Sequence, residues 1–406
     1  MALAGAAASV PGVARAENSL FDMFARDRVL KDVDTEGNTA AAQALIETNE
    51  PILSYDTAYN LQMAISQYEP FVAAGGWELV PQEVYGLKLG VSRKPVTALK
   101  RRLMSSGDMP PAKRIDDMFD QTTDAAVRNF QARHGLIVNG QVDEPTYYAL
   151  LVPADVRLNQ LRLNALRVQD MAATLSDRYL VVNVPAATTE AVEGGLVAQR
   201  HTAVVGRIDR QTPILQSKIQ QINFNPYWHV PKSIIRKDLT KYMQEDPEYL
   251  AKYKIHIYDG KGREISPTDI DWTTDEAVQY MFRQEPGSEN SMGHVKINFP
   301  NKHDVYLHDT PSKGLFAENA RFHSSGCMRI EHVNKLVAWI LRDNGGWDTS
   351  SVDAMFESNE RLDVSVKQPV AIHTTYITAW ANRQGTVSFR DDVYKFDAEG
   401  RTGLSA

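Results

Sequence analysis

The sequence has 406 residues, of which 43% are hydrophobic and 23% are charged. This length predicts two or three domains, and this composition excludes a wholly disordered chain and a multi-span membrane protein. The net charge of −7, from 44 basic and 51 acidic residues, argues against a protein held mainly by nucleic-acid phosphates. The chain has one cysteine, Cys327, which excludes an intrachain disulfide, a CxxC redox pair and a thiolate zinc cluster. Cys327 is therefore either a small buried apolar residue or a thiol kept for its reactivity.

Residues 1–16 are mostly small and apolar, and they end in Ala14-Arg15-Ala16, an A-x-A pattern. This pattern is typical of the end of a secretory signal peptide, although the basic segment that usually comes first is missing. We therefore expect residues 1–16 to be the remnant of a signal peptide and the protein to work in the periplasm. The alternative is an Ala-rich leader without a targeting role. A single functional thiol is compatible with an oxidising compartment, whereas a disulfide scaffold is not what this sequence encodes.

Helical patterns dominate the next part of the chain. Apolar residues at helical spacing predict an N-terminal helical region over 17–84. Residues 85–152 predict a compact unit of three short helices, the first of which carries Val96, Leu99 and Leu103 on one face. A linking helix is predicted over 156–176.

From residue 179 onward, short β-rich runs are separated by turns and predict a mainly antiparallel β domain within residues 156–400. These runs are 179–184, 202–206, 219–224, 295–299, 305–307, 369–372 and 386–389. Inside this domain, residues 237–253 and 274–282 predict helices. We therefore expect an inserted helical lid over about residues 235–290.

The residues that indicate a catalytic site lie around Cys327. His308 ends a predicted strand, and Cys327 lies 19 residues later, after a glycine-containing loop. A reactive thiol needs a base or a cation nearby, and a strand-end histidine supplies one. Gly326 allows close backbone approach, and the amides of Gly326 and Cys327 predict an oxyanion hole. From these residues alone, a catalytic cysteine and an inert buried cysteine both stay open.

The same segment is also compatible with two other kinds of site, a metal site and the site of a papain-like peptidase. His323, Cys327 and His332 have a spacing compatible with a metal site, which would need a fourth ligand and supporting hydrogen bonds. A papain-like peptidase is disfavoured because its cysteine normally precedes its histidine in the chain.

The segments YLHDTP (306–311) and SSGCMR (324–329) resemble the active-site signature of YkuD-type L,D-transpeptidases, in particular the large Gram-negative branch with a lid insertion. Ser325 stands where most members have histidine, so the resemblance leaves His308 as the base. Further segments resemble the same branch in the expected order. They are Gly75-Gly76-Trp77, a peptidoglycan-binding module over 86–151, and the run NPYWHVP over 225–231.

The resemblance implies an α+β multidomain protein. Its parts are a mainly β catalytic domain of YkuD type with an inserted helical lid, a small three-helix peptidoglycan-binding domain and an N-terminal helical region. It also implies that Cys327 attacks the third residue of a tetrapeptide stem, with His308 as base and then as acid for the departing D-alanine. An amine of a second stem then resolves the thioester and gives a 3→3 cross-link. No metal or organic cofactor is needed.

The resemblance also suggests roles for the neighbours of the nucleophile. Asp309 is expected to orient His308, through its main-chain carbonyl rather than its carboxylate. Ser324 and Ser325 are expected to shape the loop and donate hydrogen bonds.

Three larger side chains are predicted to contact substrate. Tyr306 and Trp228 are expected to wall the groove, with core aromatics as the alternative. Arg329 is expected to bind a substrate carboxylate, with a structural ion pair as the alternative. The implied partners are peptidoglycan stem peptides as donor and acceptor, carbapenem β-lactams as inhibitors, and cell-wall synthases.

Several functions share these residues. The thioester can pass to a stem peptide, to a free D-amino acid, to a protein lysine or to water, and the last outcome would be L,D-carboxypeptidase activity. A peptidoglycan-binding regulator with an idle site is a further alternative, which the intact His308, Gly326 and Cys327 argue against. The lid is expected to exclude water, which competes with the acceptor amine.

Overall fold

The computed structural model describes residues 36–403. The predicted signal peptide over 1–16, and the part of the N-terminal helical region over 17–35, lie outside the described residues. Within the described range, no helix combines the length and the apolar character needed to cross a membrane.

Helices make up the first part of the described chain, as predicted. Their bounds are Glu36–Ala44, Tyr55–Ala73, Pro95–Ser105, Gln121–His134, Glu144–Leu150 and Ala154–Ala172. Val96, Leu99 and Leu103 are fully buried on one face of their helix, which confirms the periodicity argument. Asp120 begins the next helix by accepting a hydrogen bond from the Thr123 amide. Two further helices, Val333–Leu341 and Thr349–Ser358, lie in the second half of the chain.

The three-helix unit is joined to the second half of the chain by hydrogen bonds of Arg133, which also forms a buried ion pair within the unit. Arg133 Nη2 donates to Asp108 Oδ2 at 2.6 Å, and Arg133 Nη1 donates to the Val387 carbonyl at 3.3 Å. Arg390 returns a hydrogen bond to the Arg133 carbonyl at 3.1 Å. Because these charged groups are buried and mutually paired, their removal one at a time would leave an uncompensated charge.

The second half, as far as residue 403, contains fifteen strands. They are β1 (Arg178–Asn183), β2 (Thr188–Glu193), β3 (Leu196–Gly206), β4 (Leu215–Phe224), β5 (Trp228–His229), β6 (Ile255–Tyr258), β7 (Glu264–Ile265), β8 (Met281–Gln284), β9 (Val295–Asn298), β10 (Leu307–His308), β11 (Phe322–Ser324), β12 (Met328–Ile330), β13 (Leu362–Thr375), β14 (Ala379–Ala381) and β15 (Val387–Phe389). Nine of them form one sheet in the order β11-β3-β12-β10-β9-β4-β13-β1-β2, and β2 also pairs with β3, so the sheet curls back on itself. Most pairings are antiparallel, as predicted, but β1 with β13, β3 with β11 and β10 with β12 run parallel.

The inserted segment between β5 and β9 has a core of its own, which includes Leu239, Leu250, Ile257 and Phe282. Its first part is helical, over Lys232–Ile234, Ile235–Leu239, Thr240–Glu245 and Tyr249–Lys252. Its second part is a four-stranded sheet in the order β5-β8-β6-β7. The lid is therefore mixed rather than purely helical.

The predicted helix over 274–282 is wrong. The structure has a short 3-10 turn at Glu276–Gln279, followed by β8. The strand is stabilised by pairing with β5 on one side and β6 on the other, and these partners are distant in sequence. Tertiary pairing of this kind overrides local preference.

Candidate active site

Two adjacent parallel strands bring His308 and Cys327 together. His308 ends β10 and is in register with Arg329 on β12, and Cys327 directly precedes β12. On its other side, His308 is in register with Lys296 of β9. Because side chains alternate along strands and paired residues share a face, Lys296, His308 and Arg329 form a row of neighbours. The nucleophile and base predicted from the sequence therefore lie side by side, between two cations.

Cys327 is a free, half-buried thiol. The hydroxyl and the amide of Tyr306 favour the thiolate form of its sulfur, as do the charges of Lys296 and Arg329. Burial outweighs these effects and raises the pKa of Cys327 to about 11. The resting nucleophile is therefore a neutral thiol.

His308 is also neutral. Burial, followed by the charge of Arg329, lowers the pKa of the imidazole to about 3. Its Nδ1 atom is buried and has no hydrogen-bond partner among the described residues. With an uncharged base beside an uncharged thiol, the site is arranged for proton transfer during attack rather than for a preformed thiolate–imidazolium pair.

The raised thiol pKa gives a direct prediction for Cys327. Below its pKa, a thiol gains about tenfold in thiolate per pH unit. We expect alkylation by iodoacetamide to be slow at neutral pH and to keep rising up to about pH 11, as followed by intact mass. In denaturant, the same single thiol should level off above about pH 8.5. A plateau near pH 7 in the folded protein would contradict the neutral-thiol description.

The Asp309 carboxylate points away from His308. Its Oδ2 accepts a hydrogen bond from the His294 amide at 3.1 Å, and its Oδ1 is bonded by the Lys313 ammonium. The main chain of Asp309 raises the imidazole pKa of His308, against the larger lowering by burial. The orienting role expected for this main chain stays a prediction.

Gly326 adopts φ +112°, a conformation that side chains disfavour. A Cβ there would meet no atom closer than the Gln211 carbonyl at 3.5 Å, so the constraint is conformational rather than steric. Its carbonyl accepts from Thr212 Oγ1 at 2.9 Å, and its amide donates to Ser324 Oγ at 3.2 Å. The expectation that the Gly326 amide serves an oxyanion hole is therefore wrong for this conformation. The Cys327 amide has no partner among the described residues and is the remaining donor.

The two serines before Gly326 have different surroundings. Ser324 is buried, and its hydroxyl donates to the Cys327 carbonyl at 2.5 Å, so it shapes the loop as predicted. Ser325 is exposed and accepts a hydrogen bond from Arg210 Nη1 at 2.8 Å. Arg210 Nη2 also donates to Asp238 of the lid at 2.8 Å. Arg210 thus links the nucleophile loop to the lid.

Trp228 and Tyr306 differ in their surroundings, one lying in a core and the other beside the nucleophile. Trp228 is buried in the lid core, and it lowers the pKa of the Tyr306 hydroxyl against the larger raising by burial. The Tyr306 ring lies 5.6 Å from the His308 ring, and the Lys296 ammonium lies 4.3 Å from the Tyr306 centroid. Trp228 is therefore a core aromatic, whereas Tyr306 contacts the nucleophile itself.

Arg329 forms no ion pair with any residue between 36 and 403. The structural ion pair predicted as an alternative is therefore not formed among the described residues. Its Nε is buried without a hydrogen-bond partner, and its charge acts on both His308 and Cys327. A buried guanidinium without an anion is costly, which favours the alternative that it meets a substrate carboxylate.

The histidines of the metal alternative lie apart from the nucleophile. His323 is exposed and bonds the Glu318 carboxylate at 2.7 Å. His332 precedes the helix Val333–Leu341 in a left-handed conformation. Between residues 36 and 403, no group of three His, Cys, Asp or Glu residues has an arrangement suited to a metal ion.

Sequence reasoning missed Lys296, Arg210 and Thr212. Lys296 alternates with buried Val295 and Ile297, which indicates an outward-facing position, but its place beside His308 depends on the strand order. Arg210 and Thr212 lie in the loop after β3, where no local pattern indicates contact with residues 325 and 326.

Two family profiles match the chain. Residues 177–372 match the YkuD family, described as "L,D-transpeptidase catalytic domain", and residues 92–150 match "Putative peptidoglycan binding domain". A Haemophilus influenzae protein named "Putative L,D-transpeptidase" is 30% identical over 221 residues, which cover 54% of this chain and 45% of that protein. The chain thus spans less than half the length of this curated relative.

Two solved structures are among those found to be similar to this chain. An L,D-transpeptidase from Xylanimonas cellulosilytica is 14% identical with a TM-score of 0.23, covering 72% of this chain and 98% of that chain. An L,D-transpeptidase from Mycobacterium smegmatis is 14% identical with a TM-score of 0.24, covering 49% and 58%. TM-scores this low carry no argument about the family. The family is indicated by the two profiles and the curated relative. Residues 177–372, which contain His308 and Cys327, therefore form a domain of YkuD type.

Proposed function

We propose that this protein is a periplasmic L,D-transpeptidase that acylates Cys327 with the tetrapeptide stem of peptidoglycan, releases D-alanine and makes 3→3 cross-links. The observation that carries the proposal is the placement of Cys327 and His308 on adjacent strands, with unpaired cations on both sides. The peptidoglycan-binding profile over 92–150 supports the substrate class, and the A-x-A pattern at residues 14–16 supports export.

Acylation begins with a neutral thiol and a neutral imidazole. As the Cys327 sulfur bonds to the carbonyl carbon of the third stem residue, His308 takes the thiol proton. Moving that proton fully before attack is unfavourable, because the thiol pKa is far above the imidazole pKa. Proton transfer and carbon–sulfur bond formation therefore proceed together. The Cys327 amide donates to the developing oxyanion.

The tetrahedral intermediate then loses its C–N bond. The imidazolium formed at His308 is strongly acidic because of its buried surroundings, so it readily protonates the departing D-alanine amine. The acceptor amine then attacks the thioester carbonyl carbon while His308 takes a proton from it, the C–S bond breaks, and His308 returns that proton to the Cys327 sulfur, which restores the thiol. Arg329, beside both residues, holds a substrate carboxylate during these steps.

The proposal is tested by turnover of purified disaccharide-tetrapeptide, read by mass spectrometry. We expect dimers joined through two third residues, with one D-alanine released per dimer. Products consisting only of tripeptide would identify an L,D-carboxypeptidase, and incorporation of an added D-amino acid would identify exchange. No turnover of any of these substrates would contradict an enzymatic role.

The contacts of Arg210 with Ser325 and Asp238 give a prediction about whether water or the acceptor amine resolves the thioester. Asp238→Asn weakens the link between the lid and the Ser325 loop, so water should gain access to the thioester. A partly exposed ion pair contributes about 1 kcal/mol, which corresponds to a rise of roughly fivefold in the hydrolysis-to-cross-link ratio. The matched control is Asp275→Asn, because Asp275 pairs with Arg236 within the lid at 3.2 Å. Equal hydrolysis-to-cross-link ratios in both variants and in the unaltered protein would contradict a role of the Arg210–Asp238 pair in excluding water.

A further inference from the structure

A group of cations lies on the side of His308 opposite to Arg329. Lys296 is in register with His308 on β9, Arg283 lies in β8 of the lid, and Arg361 directly precedes β13. None of the three forms an ion pair with a described residue. This group is distinct from Arg329, which flanks His308 from β12.

The run from Tyr227 to His229 holds this group together. The guanidinium carbons of Arg283 and Arg361 lie 4.5 Å and 4.6 Å from the Tyr227 ring centroid. His229 is in register with Arg283, and Lys296 lies over the Tyr306 ring next to the nucleophile. Burial has the largest effect in lowering the pKa of His229, and the charges of Arg283, Lys296 and Arg361 lower it further, so their fields overlap at one place. Cations held over aromatic rings are oriented without being neutralised.

Two carboxylates lie near Lys296 but leave it unpaired. Asp304 and Asp363 raise the pKa of Lys296, although burial has the larger, lowering effect. Asp363 is already bonded by Asn223 Nδ2 at 2.7 Å. Arg283 Nη2 donates to the Tyr258 hydroxyl at 2.8 Å, which leaves its charge uncompensated. Three neighbouring cations without an ion-pair partner among the described residues, in a protein of net charge −7, form a local site that favours an incoming anion.

We propose that Lys296, Arg283 and Arg361 form a second carboxylate-binding subsite, across His308 from Arg329, for a carboxylate of a peptidoglycan stem peptide. This inference rests on the proposed function. A transpeptidase brings two stems to one thiol, and both stems carry carboxylates, so a cation on each side of the base matches this requirement. The carboxylate can belong to the donor or to the acceptor, and these two sources act at different steps.

The test uses Lys296→Met and Arg361→Gln in the full chain. Arg361 is exposed, so its variant tests the subsite even if Lys296→Met is unstable. The matched control is Lys218→Met, which removes an exposed cation from β4. Two rates are measured by intact mass: formation of the thioester from disaccharide-tetrapeptide alone, and its loss when disaccharide-tripeptide is added as acceptor.

We expect both subsite variants to slow one of these steps by about tenfold or more relative to Lys218→Met, as for loss of a charge-assisted hydrogen bond. A loss in thioester formation assigns the subsite to the donor, and a loss in resolution assigns it to the acceptor. The stem whose carboxylates are amidated should show the same loss in the unaltered protein and little further loss in the variants. Unchanged rates at both steps would overturn the subsite while leaving the transpeptidase intact, whereas no thioester in the unaltered protein would overturn the proposed function itself.

Discussion

Replacement of Cys327 by alanine is expected to remove muropeptide turnover, with kcat reduced by about 10⁴-fold or more. The thiol is the atom that we propose to carry the acyl group, and the chain has no second cysteine that could replace it. Its neighbours Tyr306 and Ser324 keep their main-chain bonds to this loop, so the variant should retain the fold. The measurement is product formation from disaccharide-tetrapeptide, followed by mass spectrometry.

The control for this variant is the unfolding transition. Cys327 packs against the main hydrophobic core only partly, so loss of its sulfur should lower the free energy of unfolding by about 1 kcal/mol. A cooperative transition close to that of the unaltered protein would show that lost turnover is chemical. Turnover that survives in Cys327→Ala at more than about a hundredth of the original rate would contradict a nucleophilic role.

His308→Gln should have the second largest effect, with kcat lower by about 10²- to 10⁴-fold. Glutamine retains hydrogen-bonding capacity but cannot take a proton, so both thioester formation and its resolution should slow. The measurement is single-turnover mass spectrometry of each step. A loss confined to substrate KM would contradict the role of His308 as base and acid.

Asp309→Asn is the matched comparison for His308. Its carboxylate bonds the His294 amide and Lys313 rather than the imidazole. We therefore expect lower stability, by about 1–3 kcal/mol, with kcat in the folded fraction within about threefold of the original value. A kcat loss as large as that of His308→Gln would instead give the Asp309 side chain a direct part in catalysis.

Local patterns were sufficient for much of the helical half. Val96, Leu99 and Leu103 repeat with helical spacing and are buried together, and Gly135 ends the following helix in the left-handed conformation that only glycine adopts without cost. The pairing of His308 with the Cys327 loop was predicted by resemblance to a family, because nothing in a separation of 19 residues fixes which strands become neighbours. The domain bounds predicted from the sequence stay predictions.

The sequence could not reveal features that depend on long-range contacts. The local pattern predicts a helix over residues 274–282, yet pairing with β5 and β6 makes residues 281–284 a strand. From the sequence, the Gly326 amide is an expected oxyanion donor, but in the structure it donates to the Ser324 hydroxyl. Lys296 reaches the site because β9 lies beside β10, and Arg210 reaches it across the lid boundary.

The central claim is that Cys327 forms a thioester with the stem peptide, and the most direct test is intact mass of the protein mixed with disaccharide-tetrapeptide. We predict an added mass equal to the donor minus D-alanine, located on the peptide that contains Cys327, released by hydroxylamine and absent from Cys327→Ala. Release of D-alanine by the unaltered protein with that peptide always at its original mass, even on rapid quenching, would contradict the claim.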